Sequence, residues 1–115
     1  MKIDTILIID DEIDVCILLR NYLMKKNKKA DFATNLKDGV EKFIKMKPDL
    51  LILDHNIANE YGTENISTFK KLNKSSVVVI ISAASAIRQE ALKKGADFFI
   101  EKPLTYSSLS NTLKK

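Results

Sequence analysis

The sequence holds one cysteine, Cys16, so no disulfide can close within the chain, and one histidine, His55, so no Cys/His zinc cluster can be assembled. Any metal here must be held by oxygen. Three glycines and two prolines are too few for a flexible linker, and no internal repeat or low-complexity tract is found. The longest unbroken apolar run, Val77 to Ile81, falls far short of the ~20 residues needed to cross a bilayer. At the N-terminus, Asp4 interrupts a short apolar stretch and Asp10, Asp11 and Glu12 follow at once, which is not a secretory signal. These absences predict a cytoplasmic protein with no membrane contact. What is present is ordinary globular usage, 45% apolar and 30% charged residues in a chain of 115, which excludes disorder and fibrous repeats. One domain over residues 1–115 is the expectation.

Short β-branched runs alternate with longer stretches of helical spacing. Ile3 to Ile9 is almost wholly apolar, as in a strand buried on both faces of a parallel sheet. Val15, Leu19, Tyr22 and Leu23 mark a first helix, Ala30 to Ala33 an edge strand, and Leu36, Val40, Phe43 and Ile44 a second helix stopped before Pro48. Leu50 to Leu53 reads as a third strand, Ile66, Phe69 and Leu72 as a weaker helix, and Val77 to Ile81 as the plainest strand. A fourth helix from about Ser85 to Lys94 would end at Gly95, a fifth strand spans Phe98 to Ile100, and Tyr106, Leu109 and Leu113 share one face of a last helix. Five strands alternating with five helices imply an α/β doubly wound parallel sheet covered on both sides. In such sheets the functional crevice lies at the carboxyl ends of the strands.

Those ends are chemically lopsided. Strand one runs into Asp10-Asp11-Glu12, strand three into Asp54, strand four into Ser82 and strand five toward Lys102. Each alone has an ordinary explanation: acidic residues complement a helix N-terminus, a lone Asp caps a turn, and a lysine before proline is a solvated loop residue. Their conjunction at four strand ends is the signal. Clustered carboxylates repel and require a cation, and Mg2+ suits carboxylate and carbonyl oxygens. With that charge neutralised, Asp54, alone at the tip of a central strand, is the candidate nucleophile toward a phosphoryl group, with Ser82 and Lys102 placed to bind its oxygens.

At these residues the sequence resembles the receiver domain of two-component response regulators. The resemblance covers the whole chain, from "ILIIDDE" (Ile6 to Glu12) through "DGVEKF" and "KPDLLILD" (Lys47 to Asp54) to "ISA" (Ile81 to Ala83) and "KKGADFFIEKP" (Lys93 to Pro103). Gly62 also falls where the family has a glycine. The resemblance implies a flavodoxin-like five-stranded sheet of order 2-1-3-4-5. It further implies that Asp54 accepts a phosphoryl group from a histidine kinase or phosphotransfer protein. Asp11, Asp54 and the backbone carbonyl of Asn56 would ligate Mg2+, with Asp10 helping through water. Lys102 would contact the phosphoryl group beside a cis bond to Pro103, while Ser82 and Phe99 would be the switch pair. The switch would act on the face formed by strand four, helix four and strand five, which partners recognise.

Two departures stand out. Ala58 replaces the family's common proline, which is expected to loosen the loop after Asp54, and the stretch from Ser82 to Gly95 is short enough to abbreviate the fourth helix. Ala84 and Asn56 together predict an unexceptional aspartyl-phosphate lifetime. No effector domain is contained in these residues, so output is expected through a downstream protein or a further C-terminal region. A homodimer through the fourth and fifth helices is compatible with the sequence.

Other signals have simpler readings. The period of a strand end points His55 away from Asp54, as a surface loop residue. Cys16 sits among apolar positions as a small inert hydrophobe. Lys25, Lys26, Lys28 and Lys29 form a cationic helix end without the interleaved aromatics of a nucleic-acid surface, so no direct nucleic-acid binding is expected. Tyr22, Phe32, Phe43, Phe69 and Phe98 fall at core spacings. Two alternatives compete with the slow, self-dephosphorylating switch. An aspartate-nucleophile phosphatase would carry its nucleophile on the first strand, with a second Asp where Asn56 stands. A receiver-like module that is never phosphorylated would lack an acidic residue or the lysine.

Overall fold

Ile6, Leu7, Ile8 and Ile9 are all fully buried, which is possible only where a strand is covered on both faces. In the computed structural model, which describes residues 2–113, they form the centre of β1 (Thr5–Ile9). Along the chain follow α1 (Ile13–Lys25), β2 (Lys29–Ala33), α2 (Leu36–Met46), β3 (Leu50–Asp54), α3 (Ile66–Leu72), β4 (Val77–Ser82), α4 (Arg88–Lys93), β5 (Phe98–Glu101) and α5 (Tyr106–Leu113). The five strands form one parallel sheet, as the alternation of strands and helices predicts, in the order β2-β1-β3-β4-β5 that the family resemblance implies.

Successive residues of each strand point to opposite faces and so divide the core in two. Leu7, Ile9, Leu51, Leu53, Val78, Ile80 and Phe99 pack with Phe43 of α2, Phe69 of α3 and Ala91 of α4. Ile6, Ile8, Leu50, Ile52, Val79, Ile81 and Ile100 pack with Cys16, Leu19 and Leu23 of α1 and Leu109 of α5. The registers Ile9↔Leu53, Asp54↔Ile81 and Ser82↔Glu101 level the carboxyl ends of the strands, which gathers their terminal residues at one rim.

Local chemistry sets the boundaries. Asn35 caps α2, its side chain accepting from the Asp38 N–H at 2.8 Å while its amide donates to the Asp38 carboxylate at 3.0 Å. At the end of α4, Gly95 (φ +110°) donates to the Leu92 carbonyl at 3.1 Å and Ala96 to the Ala91 carbonyl at 3.1 Å, the paired bonds of a left-handed glycine stop. At the free edge of β2 the Phe32 N–H is taken by Asp31 Oδ1 at 2.8 Å and its carbonyl by Lys42 Nζ at 2.7 Å, so side chains blunt the edge.

The fourth helix is abbreviated, as the short stretch from Ser82 to Gly95 implies: a 3-10 turn (Ser85–Ile87) precedes six α-helical residues that start at Arg88. Three details differ from the sequence reading. Ile44 and Leu72 are exposed: Ile44 sits at the flank of the inward stripe of Leu36, Gly39 and Phe43, and Leu72 is the last residue of α3. Asn56–Ile57 pairs antiparallel with Glu60–Tyr61 in a small hairpin that the sequence did not announce. His55 is half-buried, not a free surface residue: its ring stacks on Tyr61 at a centroid distance of 5.0 Å, and its Nδ1 lies 3.3 Å from Thr63 Oγ1. Leu113, expected on the inner face of α5, has its side chain outside the described residues.

Candidate functional site

β1 delivers Asp10 and Asp11 to the rim, β3 delivers Asp54, and the turn after β5 delivers Lys102. One carboxylate oxygen from each of Asp10, Asp11 and Asp54 lies within 4.8 Å of the others. Asp10 is fully buried and Asp54 only 2% exposed, so their charges are held largely out of water. Asp10 Oδ1 accepts the Glu12 N–H at 2.9 Å, whereas its Oδ2 is buried with no hydrogen-bond partner. Burial pushes the Asp10 carboxyl up to about 6, against the Glu12 N–H, which holds it down, and with the Asp54 charge adding to the rise. Asp54 Oδ1 accepts the Asn56 N–H at 3.3 Å and its Oδ2 accepts from Lys102 Nζ at 3.0 Å.

Lys102 also lies 3.8 Å from Glu12 Oε1. Burial disfavours its ammonium, but the hydrogen bond and charge of Asp54, with Asp10 and Glu12 beyond, outweigh that and raise Lys102 above the ordinary lysine value. The Lys102-Pro103 peptide is cis, and the Lys102 N–H donates to the Ser82 carbonyl at 2.8 Å. Ser82 is buried at the adjacent strand end, its Oγ accepting the Ala84 N–H at 3.0 Å. Phe99 is buried with the Arg88 guanidinium 4.8 Å from its ring centroid. The Cys16 Sγ donates to the Asp10 carbonyl at 3.2 Å, and burial, with the Asp10 charge, pushes this thiol up to about 12.

The floor under Asp54 is set by Gly62. A Cβ added there would lie 2.2 Å from the Asp54 carbonyl oxygen, so only glycine lets the chain pass so close. The loop between them carries, at Ala58, a contact to the acidic rim that the sequence reading did not foresee. The Ala58 N–H donates to Asp11 Oδ2 at 2.8 Å and ties the hairpin to the acidic rim, a bond that no proline could make. Sequence reasoning missed this contact because a main-chain donor leaves no mark in residue type. Glu12 was missed as a partner of Lys102 for another reason: as the last of three consecutive acids it reads as a helix N-terminus.

The donor set fits a hard divalent cation. Three carboxylates lie in reach of one point, one with a buried oxygen lacking any partner, and all three offer hard oxygen donors.

The model of the response regulator receiver domain matches residues 6–114. The chain belongs to that family. It is 31% identical over 113 residues to the chemotaxis protein CheY of Thermotoga maritima, covering 96% of this chain and 94% of CheY. It is 33% identical over 112 residues to the transcriptional regulatory protein ZraR of Klebsiella oxytoca, of which it spans only 25%. The crystal structure of the response regulator TrrA from Thermotoga maritima in complex with Mg(2+)-BeF superposes with a TM-score of 0.86 at 27% identity, covering 96% of each chain. Receiver domains are regulatory elements of two-component signalling, and this chain is one: its function is phosphorylation-based switching. None of the helices among the described residues is long and apolar enough to cross a membrane.

Proposed function

We propose that Asp54 is the phosphoacceptor, that Asp10, Asp11, Asp54 and the Asn56 carbonyl hold Mg2+, and that Lys102 and Ser82 bind the phosphoryl oxygens. The observation that carries this reading is Asp54 itself, 2% exposed, sharing a 4.8 Å cluster with two carboxylates and bonded to Lys102 at 3.0 Å. When bound, Mg2+ supplies the positive charge that lets an anionic carboxylate approach an anionic phosphoryl group. An Asp54 oxygen attacks phosphorus, the bond to the donor's imidazole nitrogen breaks, and the electron pair returns to that ring. Lys102, already charged, transfers its contact from the Asp54 carboxylate to the incoming phosphoryl oxygens. Ser82 keeps its hydroxyl proton to donate, since its Oγ only accepts from Ala84.

The donor is a histidine kinase or phosphotransfer protein of the cytoplasm. A cavity of about 720 Å3 lined by Val15, Leu18, Leu19, Leu104 and Tyr106 opens beside Glu12 and Lys102, next to the acceptor, and gives such a donor an apolar seat. Output runs through Ser82 and Phe99: drawing Ser82 toward the phosphate changes the packing of Phe99 beneath Arg88 and hence the β4-α4-β5 face read by a downstream protein. The chain is a switch with slow self-dephosphorylation, not a turnover enzyme.

Incubation with Mg2+ and acetyl phosphate, followed by intact mass measurement, tests the assignment. One added phosphoryl group is expected on the parent and none on Asp54→Asn. Continuous phosphate release without an adduct would indicate a phosphatase, and no reaction at all an interaction-only module; either outcome overturns the reading.

A further inference from the structure

Asp11 is exposed, and an exposed carboxylate on a short side chain ordinarily samples several rotamers. Here one of its oxygens is fixed. Among the described residues the only hydrogen-bond donor to Asp11 is the Ala58 N–H, 2.8 Å from Oδ2 and 47 residues away in sequence. The donor is held in place by the hairpin. Asn56 and Ile57 pair with Tyr61 and Glu60, leaving Ala58 and Asn59 as its two-residue tip, and Ala58 takes a left-handed conformation at φ +55°. An alanine gains nothing locally from that conformation, so the surrounding contacts impose it. The base of the hairpin is anchored by Gly62, whose N–H reaches the His55 carbonyl at 2.6 Å, and by the Asn65 amide on the Tyr61 carbonyl at 3.0 Å.

We infer that the main-chain N–H of Ala58 is a positioning group for Asp11, holding one carboxylate oxygen so that the other is presented to the divalent cation shared with Asp10 and Asp54. This rests on the reading of those three carboxylates as a Mg2+ site. Hydrogen bonds to a ligating carboxylate fix its orientation before the ion arrives, and removing such a partner ordinarily weakens metal binding by ten- to a hundredfold. The arrangement is a property of this chain's residue at position 58. A proline there would lack the N–H and could not adopt a positive φ.

The test removes the donor. Replacing the Ala58 amide by an ester, through incorporation of the corresponding hydroxy acid, leaves the side chain and the shape of the turn. Mg2+ affinity measured by titration calorimetry should fall about tenfold. Ala58→Gly, which keeps the N–H and accepts positive φ freely, should bind within about twofold of the parent. An ester that binds as tightly as the parent, or more tightly, overturns the inference. Hydrogen exchange at the Ala58 amide of the unmodified protein gives a second readout: protection should persist with Mg2+ bound, and loss of protection on adding the ion would mean that it displaces the bond. A parent that binds no Mg2+ overturns the metal-site reading together with the inference. A parent that binds, paired with an indifferent ester, overturns the role of Ala58 alone.

Discussion

Asp10 should destabilise the fold at neutral pH, and Asp10→Asn should relieve it. Its carboxyl rises from 3.8 to about 6, chiefly because burial strips water from the charge. At ~1.4 kcal/mol for each tenfold change in proton affinity, a rise from 3.8 to about 6 is on the order of 3 kcal/mol. The sign follows from which state releases its proton first. Below about pH 4 Asp10 is protonated both folded and unfolded, and no penalty exists. Between about 4 and 6 the unfolded chain ionises while the folded one does not, so stability declines as pH rises. Above 6 the penalty is complete. Asparagine keeps the Oδ1 acceptor for the Glu12 N–H and puts a donor where the unpartnered Oδ2 faces its neighbours. Urea unfolding followed by circular dichroism in chelator should therefore show Asp10→Asn more stable than the parent by about 1–3 kcal/mol at pH 7 and nearly equal at pH 4. Saturating Mg2+ should close the gap at pH 7, since an ion at a hundred times its Kd stabilises the parent by about 2.7 kcal/mol and the variant less. A variant less stable than the parent at pH 7, or a difference indifferent to pH, would refute the reasoning.

Gly62→Ala places a methyl 2.2 Å from the Asp54 carbonyl oxygen, so the backbone must shift; a loss of about 2–4 kcal/mol in denaturant titration is expected, with reduced phosphorylation. Lys102→Gln removes the cation bonded to nearly buried Asp54 and should abolish acetyl phosphate labelling while preserving Mg2+ binding in calorimetry. Asp49 accepts the N–H groups of Asp4 at 2.9 Å and Thr5 at 3.1 Å, and the first of these bonds leads in holding its carboxyl below the ordinary 3.8 against desolvation. Its depressed value means that its stabilisation is present above the ordinary carboxylate range and disappears as pH falls through the folded value. Asp49→Asn should flatten the acid limb of the stability profile. Cys16, buried and with its thiol pushed up to about 12, should resist alkylation by iodoacetamide at pH 8 in native protein and react only after unfolding.

The sheet was legible because parallel strands buried on both faces must be continuous apolar runs, and Ile6 to Ile9, Leu50 to Leu53 and Val78 to Ile81 are such runs. The site was legible because its chemistry sits in side chains at the ends of those runs: Asp10, Asp11, Asp54 and Lys102 meet as their positions require. What escaped was main chain and short range. The hairpin has two residues per strand, too few for any period to register, and its consequence, the Ala58 N–H on Asp11, depends on a donor common to nearly every residue. Spacing alone places Ile44 and Leu72 inward, yet Ile44 stands a residue round the helix from buried Phe43, at the flank of the inward stripe, and Leu72 is the last residue of α3. The stacking of His55 on Tyr61 escaped because it depends on the hairpin bringing residue 61 back beneath residue 55.

Reduction of the phosphorylated protein with borohydride, followed by peptide mass spectrometry, tests the chemistry most directly, because an aspartyl phosphate is converted to homoserine where it stood. The account predicts homoserine at position 54 alone, formed only when Mg2+ and a phosphodonor were both present. Homoserine at position 10 or 11, or unaltered Asp54 in a protein that has gained phosphate, would contradict it.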